Sequence, residues 1–247
     1  MNTPPVEADV AIVGGGPCGL MAANELGRRG VRVVLVDDKP STAFNPQANA
    51  TQARTMEYFR RLGFADEIRA LGLPAGFPTD IAYFTRFAGH ELARLRLPSA
   101  REAATLARSL SGSWSTAELP HRISQKFVEA VLRRHAEALP GVSIHYGWRM
   151  REWQDEGTGV SLRVEPGGGG PSIGIRARYL IGADGPRSTI RQTLGIAWRG
   201  ETGVVRDFMG GRMLAIYLQA PDYYRTAPHA PAWMNVCFNR ERRAFMM

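Results

Sequence analysis

A glycine pattern near the amino terminus sets the strongest constraint on this chain. Residues 8–38 read ADVAIVGGGPCGLMAANELGRRGVRVVLVDD, and Gly14-x-Gly16-x-x-Gly19 sits between an apolar run and a helical one. Val10 to Val13 is apolar throughout, as a strand covered on both faces of a parallel sheet must be. Leu20 to Arg29 has helical periodicity, with Ala22, Ala23 and Leu26 inward, a Glu25–Arg29 pair one turn apart, and Gly30 as its stop. Val31 to Val36 is a second apolar run, broken by Arg32. Together these predict a βαβ unit. Gly14 permits the tight turn out of the strand. Gly16 lets the backbone approach a pyrophosphate with no Cβ in the way, and Gly19 lets helix and strand pack closely. The helix start, Pro17, Cys18 and Gly19, then meets the phosphates with a partial positive charge and with free N–H groups, which Pro17 itself lacks. Asp37 follows Gly19 by 18 positions, where a carboxylate accepts hydrogen bonds from an adenosine ribose. An acid there disfavours a 2′-phosphate, so NADP is not expected at this turn. Asp38 is the second candidate at that strand end, or a solvated neighbour.

At 247 residues and 44% hydrophobic content, the chain suits one large domain or two small ones. It has no run of 18 apolar residues and no secretion signal, so no membrane partner is expected. Cys18 and Cys237 stand in unrelated contexts and read as reduced thiols of a cytoplasmic protein. Net charge is +8, and Lys39 and Lys126 are the only lysines, which leaves 29 arginines among 31 basic residues. The arginines are scattered and no aromatic-basic platform stands out, so nucleic acid is not an expected partner. Five histidines are dispersed without metal-ligand spacing, so no metal is expected.

Further along, Arg54 to Leu62 reads as a helix closed by Gly63, and a second short helix runs to Leu71. Residues 80–97 alternate as a hairpin around Gly89, with Ala93, Leu95 and Leu97 on one face and Arg94 and Arg96 on the other. Gln125 to Leu139 is a helix with Phe127, Val128, Val131, Leu132 and Leu139 as its apolar stripe. Val142 to Tyr146 is a strand. Arg149–Gln154, Val160–Glu165 and Ile173–Ile181 form a three-stranded meander. Met213–Gln219 and Trp233–Phe238 belong to a second β layer. The chain stops at NRERRAFMM, in the middle of a pattern, so an amino-terminal piece of a longer protein is expected.

YLIGADGPRSTIR, residues 179–191, resembles the Asp-Gly motif of the flavoprotein aromatic hydroxylases, the family typified by p-hydroxybenzoate hydroxylase. ANATQARTMEYFRRLGF and HRISQKFVEAVLRRHA are similar to two further helices of that family, and the resemblance covers essentially the whole chain. It is closest to the phenol, hydroxyphenylpropionate and polyketide hydroxylases. It implies an α/β, Rossmann-like FAD-binding domain with a parallel sheet and a crossover β-meander, over residues 1–75 and 101–198. Residues 76–100 and 199–247 would form part of a β-rich substrate domain. Gly14, Gly16, Gly19 and Asp37 would bind the ADP half of FAD, and Gln125 would lie along the flavin chain. Asp184 and Gly185 would support the pyrophosphate and, with Arg187, Ser188 and Arg191, help receive NAD(P)H. Gln47 stands where many members carry an arginine against the diphosphate, so it donates hydrogen bonds without charge. The family's later Gly-Asp motif would fall beyond Met247.

The implied function is hydroxylation of a small phenolic or aromatic substrate with NAD(P)H and O2, through a flavin C4a-hydroperoxide. No motif requires a general base, so no catalytic residue is named. Tyr83, Arg86, Trp233, Met234 and Phe238 are candidates to line a substrate pocket, with strand core as the alternative for the last three. A flavin reductase on the same scaffold and a non-catalytic FAD-binding fragment stay open as functions, and a homodimer stays open as the assembly.

Overall fold

The computed structural model describes residues 4–45, 47–109, 116–201 and 214–247. They fall into two compact units, Met1–Ala48 with Ser124–Thr202, and Asn49–Ile123 with Gly203–Met247. The first unit opens with β1 (Val6–Glu7), β2 (Val10–Val13), α1 (Pro17–Gly27) and β3 (Val33–Asp37). The second begins with β4 (Ala50–Thr51), α2 (Ala53–Leu62), α3 (Ala65–Leu71), β5 (Ile81–Phe84) and β6 (Glu91–Leu95), then α4 (Ala100–Ser109) and β7 (His121–Arg122). The chain returns to the first unit with α5 (Gln125–Glu137), β8 (Val142–Tyr146), β9 (Trp148–Asp155), β10 (Val160–Pro166), β11 (Ile173–Ala177), β12 (Tyr179–Gly182) and α6 (Thr189–Thr193). It ends in the second with α7 (Tyr223–Thr226), β13 (Met234–Phe238) and β14 (Arg243–Met246).

Two sheets build the first unit. One is parallel throughout, in the order β12-β2-β3-β8. The other, in the order β1-β11-β10-β9, is the meander with the short strand β1 added in parallel. Ala11, Val13, Val34 and Val36 of the parallel sheet share a buried cluster with Leu162, Val164, Ile175 and Ala177 of the meander. α1 and α5 pack on each other and on the parallel strands. Every residue of β2 and β3 is therefore buried, which is why both read as unbroken apolar runs. Each large aliphatic side chain buried here contributes about 1.5–3 kcal/mol. Asn24, buried on α1, donates to Leu20 O at 2.9 Å and to Leu132 O on α5 at 2.8 Å. α1 ends at Gly27, and the Glu25–Arg29 pair forms across its end.

Three sequence expectations for this unit need correction. Ile173–Ile181 is two strands, not one. Arg178 N and Tyr179 N both donate to Asp9 O, and there the chain passes from the meander to the parallel sheet. α5 ends at Glu137, short of Leu139, and Phe127 on its first turn is exposed.

The second unit holds a sheet in the order β14-β13-β5-β6 and the two-stranded pair β4-β7. The hairpin β5–β6 forms with a turn at Gly89, but Arg94 and Leu95 trade the exposure expected of them, while Arg96 is exposed. Leu95 is exposed, whereas the Arg94 side chain is 10% exposed. Arg94 can go inward because its charge is met by Asp80 at 3.1 Å, Glu91 at 2.8 Å and the carbonyls of Ala230 and Pro231 at 3.0 Å. α4 was not expected. The strand expected over Met213–Gln219 does not form at residues 214–219, where Leu214, Ile216 and Leu218 are exposed; Met213 lies outside the described residues. No helix among the described residues is long and apolar enough to cross a membrane.

Candidate functional site

The four parallel strands end together. Val13 is in register with Gly182 and with Val36, and Asp37 with Tyr146. The chain leaves β2 through α1 to β3 on one side, and returns much later as β12 on the other. A crevice at such a reversal, outside the carboxyl ends of the strands, is where open α/β sheets take ligands.

The turn after β2 is tightly determined at two glycines and open at the third. Gly14 has φ +111°, and a Cβ there would lie 2.2 Å from Ala183 O. A Cβ on Gly19 would lie 1.9 Å from Gly14 O. Gly16 differs: its φ is −79°, and no atom lies within 4 Å of where its Cβ would stand. α1 begins directly after it at Pro17, with no side-chain cap and no acid in the first turn. Its leading amides are thus left for another acceptor. Pro17 and Cys18 are exposed at this end. Open space at Gly16, which a side chain would fill, next to an uncapped helix start fits the diphosphate of a dinucleotide.

Asp37 is 8% exposed at the end of β3. Its Oδ2 accepts from Gly15 N at 2.5 Å, and its Oδ1 from Lys39 N at 2.8 Å. Each oxygen keeps a lone pair that a ribose hydroxyl could use. Tyr146, at the end of β8, donates from its hydroxyl to Gly15 O at 2.7 Å. Burial, then the Asp37 carboxylate, push that hydroxyl well above the usual tyrosine range, so it remains a donor. Asp38 is exposed, with the Arg149 guanidinium at 3.4 Å. A cavity of about 420 Å³ adjoins this corner, lined by Asp38, Pro40, Tyr146, Trp148 and the glycines 147, 167 and 168 among others.

The turn after β12 is built differently. Asp184 Oδ2 accepts from Thr189 N at 2.7 Å and Ile190 N at 3.4 Å. Its Oδ1 is buried without a hydrogen-bond partner, so it can still accept from a donor brought in with a ligand. Gly185 adopts φ +83°. Ser188 caps α6 by accepting from Arg191 N at 3.0 Å. Arg191 donates to Pro186 O at 2.8 Å and Ile196 O at 3.1 Å, with its guanidinium 4.8 Å from the Trp198 ring centroid. Ser188 and Arg191 are thus tied into the turn itself, while Arg187 is exposed.

Gln125 opens α5. Its backbone N donates to Ala48 O at 2.9 Å, and its side-chain amide to Glu129 Oε1 at 2.6 Å. Gln47, exposed, precedes Ala48, so the two glutamines lie on backbone segments that meet; Pro46 lies outside the described residues. Glu129 is buried, and its other oxygen accepts from Ala43 N at 2.7 Å. Sequence reasoning gave no role to Glu129, Tyr146 or Lys39. The available signal for Glu129 was an acid set among Val128, Val131 and Leu132 on the apolar stripe. In the second unit the Tyr83 ring meets Phe238 edge-on at 6.4 Å, Trp233 lies 3.7 Å under the Arg122 guanidinium, and Arg86 is exposed.

The FAD binding domain family matches residues 7–247. Aklavinone 12-hydroxylase DnrF of Streptomyces peucetius subsp. caesius is 37% identical over 235 residues, covering 89% of this chain and 46% of that enzyme. The 2,4-dichlorophenol 6-monooxygenase of Cupriavidus pinatubonensis is 31% identical over 198 residues, covering 80% and 32%. The flavin-dependent monooxygenase PieE, solved in complex with FAD and substrate, superposes with a TM-score of 0.76 at 28% identity, covering 95% of this chain and 39% of that one. The chain thus spans about half or less of the length of these relatives. It belongs to the FAD-binding-domain family of flavin-dependent aromatic and polyketide hydroxylases.

Proposed function

We propose that the protein carrying this chain hydroxylates a phenolic or polyketide aromatic substrate, with FAD as cofactor and NAD(P)H and O2 as co-substrates. The observation that carries this reading is the corner at Gly14–Gly19: an uncapped helix start, open space at Gly16 and a buried Asp37 at the next strand end. FAD, when bound, supplies the activation of O2 and the transfer of one oxygen atom to the ring. The chain's own part is binding and orientation. Backbone amides at Gly16, Cys18 and Gly19 hold the diphosphate, and Asp37 accepts from the adenosine ribose, with Asp38 at the rim. Gln47 and Gln125 steady the flavin chain from the segments that meet at Ala48. The turn at Asp184 and Gly185 supports the diphosphate from the neighbouring strand end through its backbone, while the unpartnered Asp184 Oδ1 accepts from a hydroxyl of the cofactor. Arg187, Ser188 and Arg191 form the side that NAD(P)H approaches. The relatives named above, one acting on aklavinone and one on a chlorophenol, support an electron-rich ring as substrate. Two free thiols fit a cytoplasmic location.

Calorimetric titration of FAD tests this. The protein binds FAD, and Asp37→Ala weakens binding roughly ten- to a hundredfold, the worth of a hydrogen bond to a charged group. Protein that stays colourless with added FAD, or an alanine variant with unchanged affinity, overturns the reading.

A further inference from the structure

Gly15 is held from both sides. Its N–H is taken by Asp37 on β3, and its C=O by the Tyr146 hydroxyl on β8. Asp37 and Tyr146 are register partners, so one pair of strand ends supplies both clamps. The fit is close: a Cβ on Gly15 would lie 2.9 Å from Tyr146 Cε1 and Oη. Tyr146 is itself backed by Arg133 of α5, whose guanidinium lies 4.6 Å from the ring centroid. Arg133 is fixed in turn by Glu137 at 2.7 Å and Ser41 at 3.3 Å.

This matters because the next peptide is Gly15–Gly16. Two glycines in a row leave that peptide plane free to flip. The peptide is planar and trans, so its C=O and N–H point in opposite directions. A hydrogen bond that draws Gly15 C=O to Tyr146 therefore turns Gly16 N–H away from the tyrosine. Gly16 is the residue with open space at its Cα.

We infer that Tyr146 is a positioning residue for dinucleotide binding, whose hydroxyl fixes the Gly15–Gly16 peptide so that Gly16 N–H is set to receive a diphosphate oxygen. This rests on the reading that the glycine corner holds FAD. Tyr146 touches the loop, and its effect reaches the ligand only through that peptide.

Tyr146→Phe keeps the ring, its packing on Gly15 and its contact with Arg133, and removes only the hydroxyl. FAD and ADP are titrated calorimetrically into the intact protein, adenosine binding is followed by NMR shifts, and unfolding of the FAD-free protein is recorded. In the phenylalanine variant, FAD and ADP bind about five- to tenfold more weakly, in line with one lost net hydrogen bond. Adenosine affinity and the unfolding midpoint stay near wild type. Asp37→Ala, by contrast, weakens adenosine and ADP alike. If Tyr146→Phe binds ADP as wild type does, or lowers the midpoint while adenosine and ADP weaken together, Tyr146 is structural and the inference falls while the FAD reading stands. If wild type binds neither FAD nor ADP, both fall.

Discussion

The first unit contains two strand–turn–helix corners side by side, after β2 and after β12, and they treat the helix start in opposite ways. At the first, no side chain caps α1 and the space at Gly16 is open. At the second, Asp184 and Ser188 between them take the amides of Thr189, Ile190 and Arg191. A helix start is an anion site only while its amides lack an internal acceptor. The backbone shape is therefore not what separates an open helix start from a sealed one. The side chains around it decide, and in the second corner Asp184 and Ser188 satisfy the helix start from within the chain. The two corners also lean on each other, because Gly14 is pressed against Ala183, the residue before Asp184.

That contact is where the comparison breaks most severely. Gly14→Ala puts a Cβ 2.2 Å from Ala183 O at φ +111°. Overpacking against backbone together with a disfavoured φ costs roughly 3–5 kcal/mol. Gly185→Ala, at φ +83° with nothing within 4 Å of its Cβ, costs about 1–2 kcal/mol. Urea denaturation of both variants checks the gap. Equal losses would mean that the joint between the corners is not the constraint.

Gly16→Ala sharpens the contrast from the ligand side. Gly16 has an ordinary backbone angle and empty surroundings, so the alanine variant folds with a loss of about 1 kcal/mol or less. Its added methyl occupies the space assigned to the diphosphate, and FAD affinity falls about tenfold or more, equivalent to 1.4 kcal/mol or above. Stability and affinity thus separate at Gly16, whereas at Gly14 both are lost together. Unchanged FAD titration of the Gly16 variant would move the diphosphate elsewhere.

How much of this could be read beforehand follows a physical line. β2, α1 and β3 were legible because burial on both faces and helical period are written locally, and Asp37 was placed by its spacing. The reason for Gly14 was not, because the atom it must avoid belongs to a strand far along the chain. Ile173–Ile181 looked like one strand because hydrophobicity says a segment is buried without saying which sheet it joins. Tyr146 reads as one more apolar strand residue until the register sets it opposite Asp37. Arg94 was misplaced for the same reason, since the carboxylates and carbonyls that let it turn inward come from distant segments. α4 is the exception that was readable. Ser99 and Glu102 form a reciprocal capping box, with Ser99 N donating to Glu102 Oε2 and Glu102 N to Ser99 Oγ, and the Ser-x-x-Glu spacing stands in the sequence.

The smallest effect is the most discriminating for the second corner. Ser188→Ala removes the acceptor of Arg191 N and should cost about 1 kcal/mol of stability, the usual worth of such a cap. α6 stays in place, because Asp184 still holds Thr189 N and Ile190 N. Ser188→Asn, which can cap in the same way, restores most of the loss. FAD affinity changes by less than about twofold, since the lost hydrogen bond is internal to the turn and leaves the contacts assigned to FAD intact. The check is thermal unfolding of both variants beside an FAD titration. A fall in FAD affinity as large as that of Gly16→Ala would show that the corner after β12 holds ligand through its helix start as well, and the distinction between an open and a sealed corner would be lost.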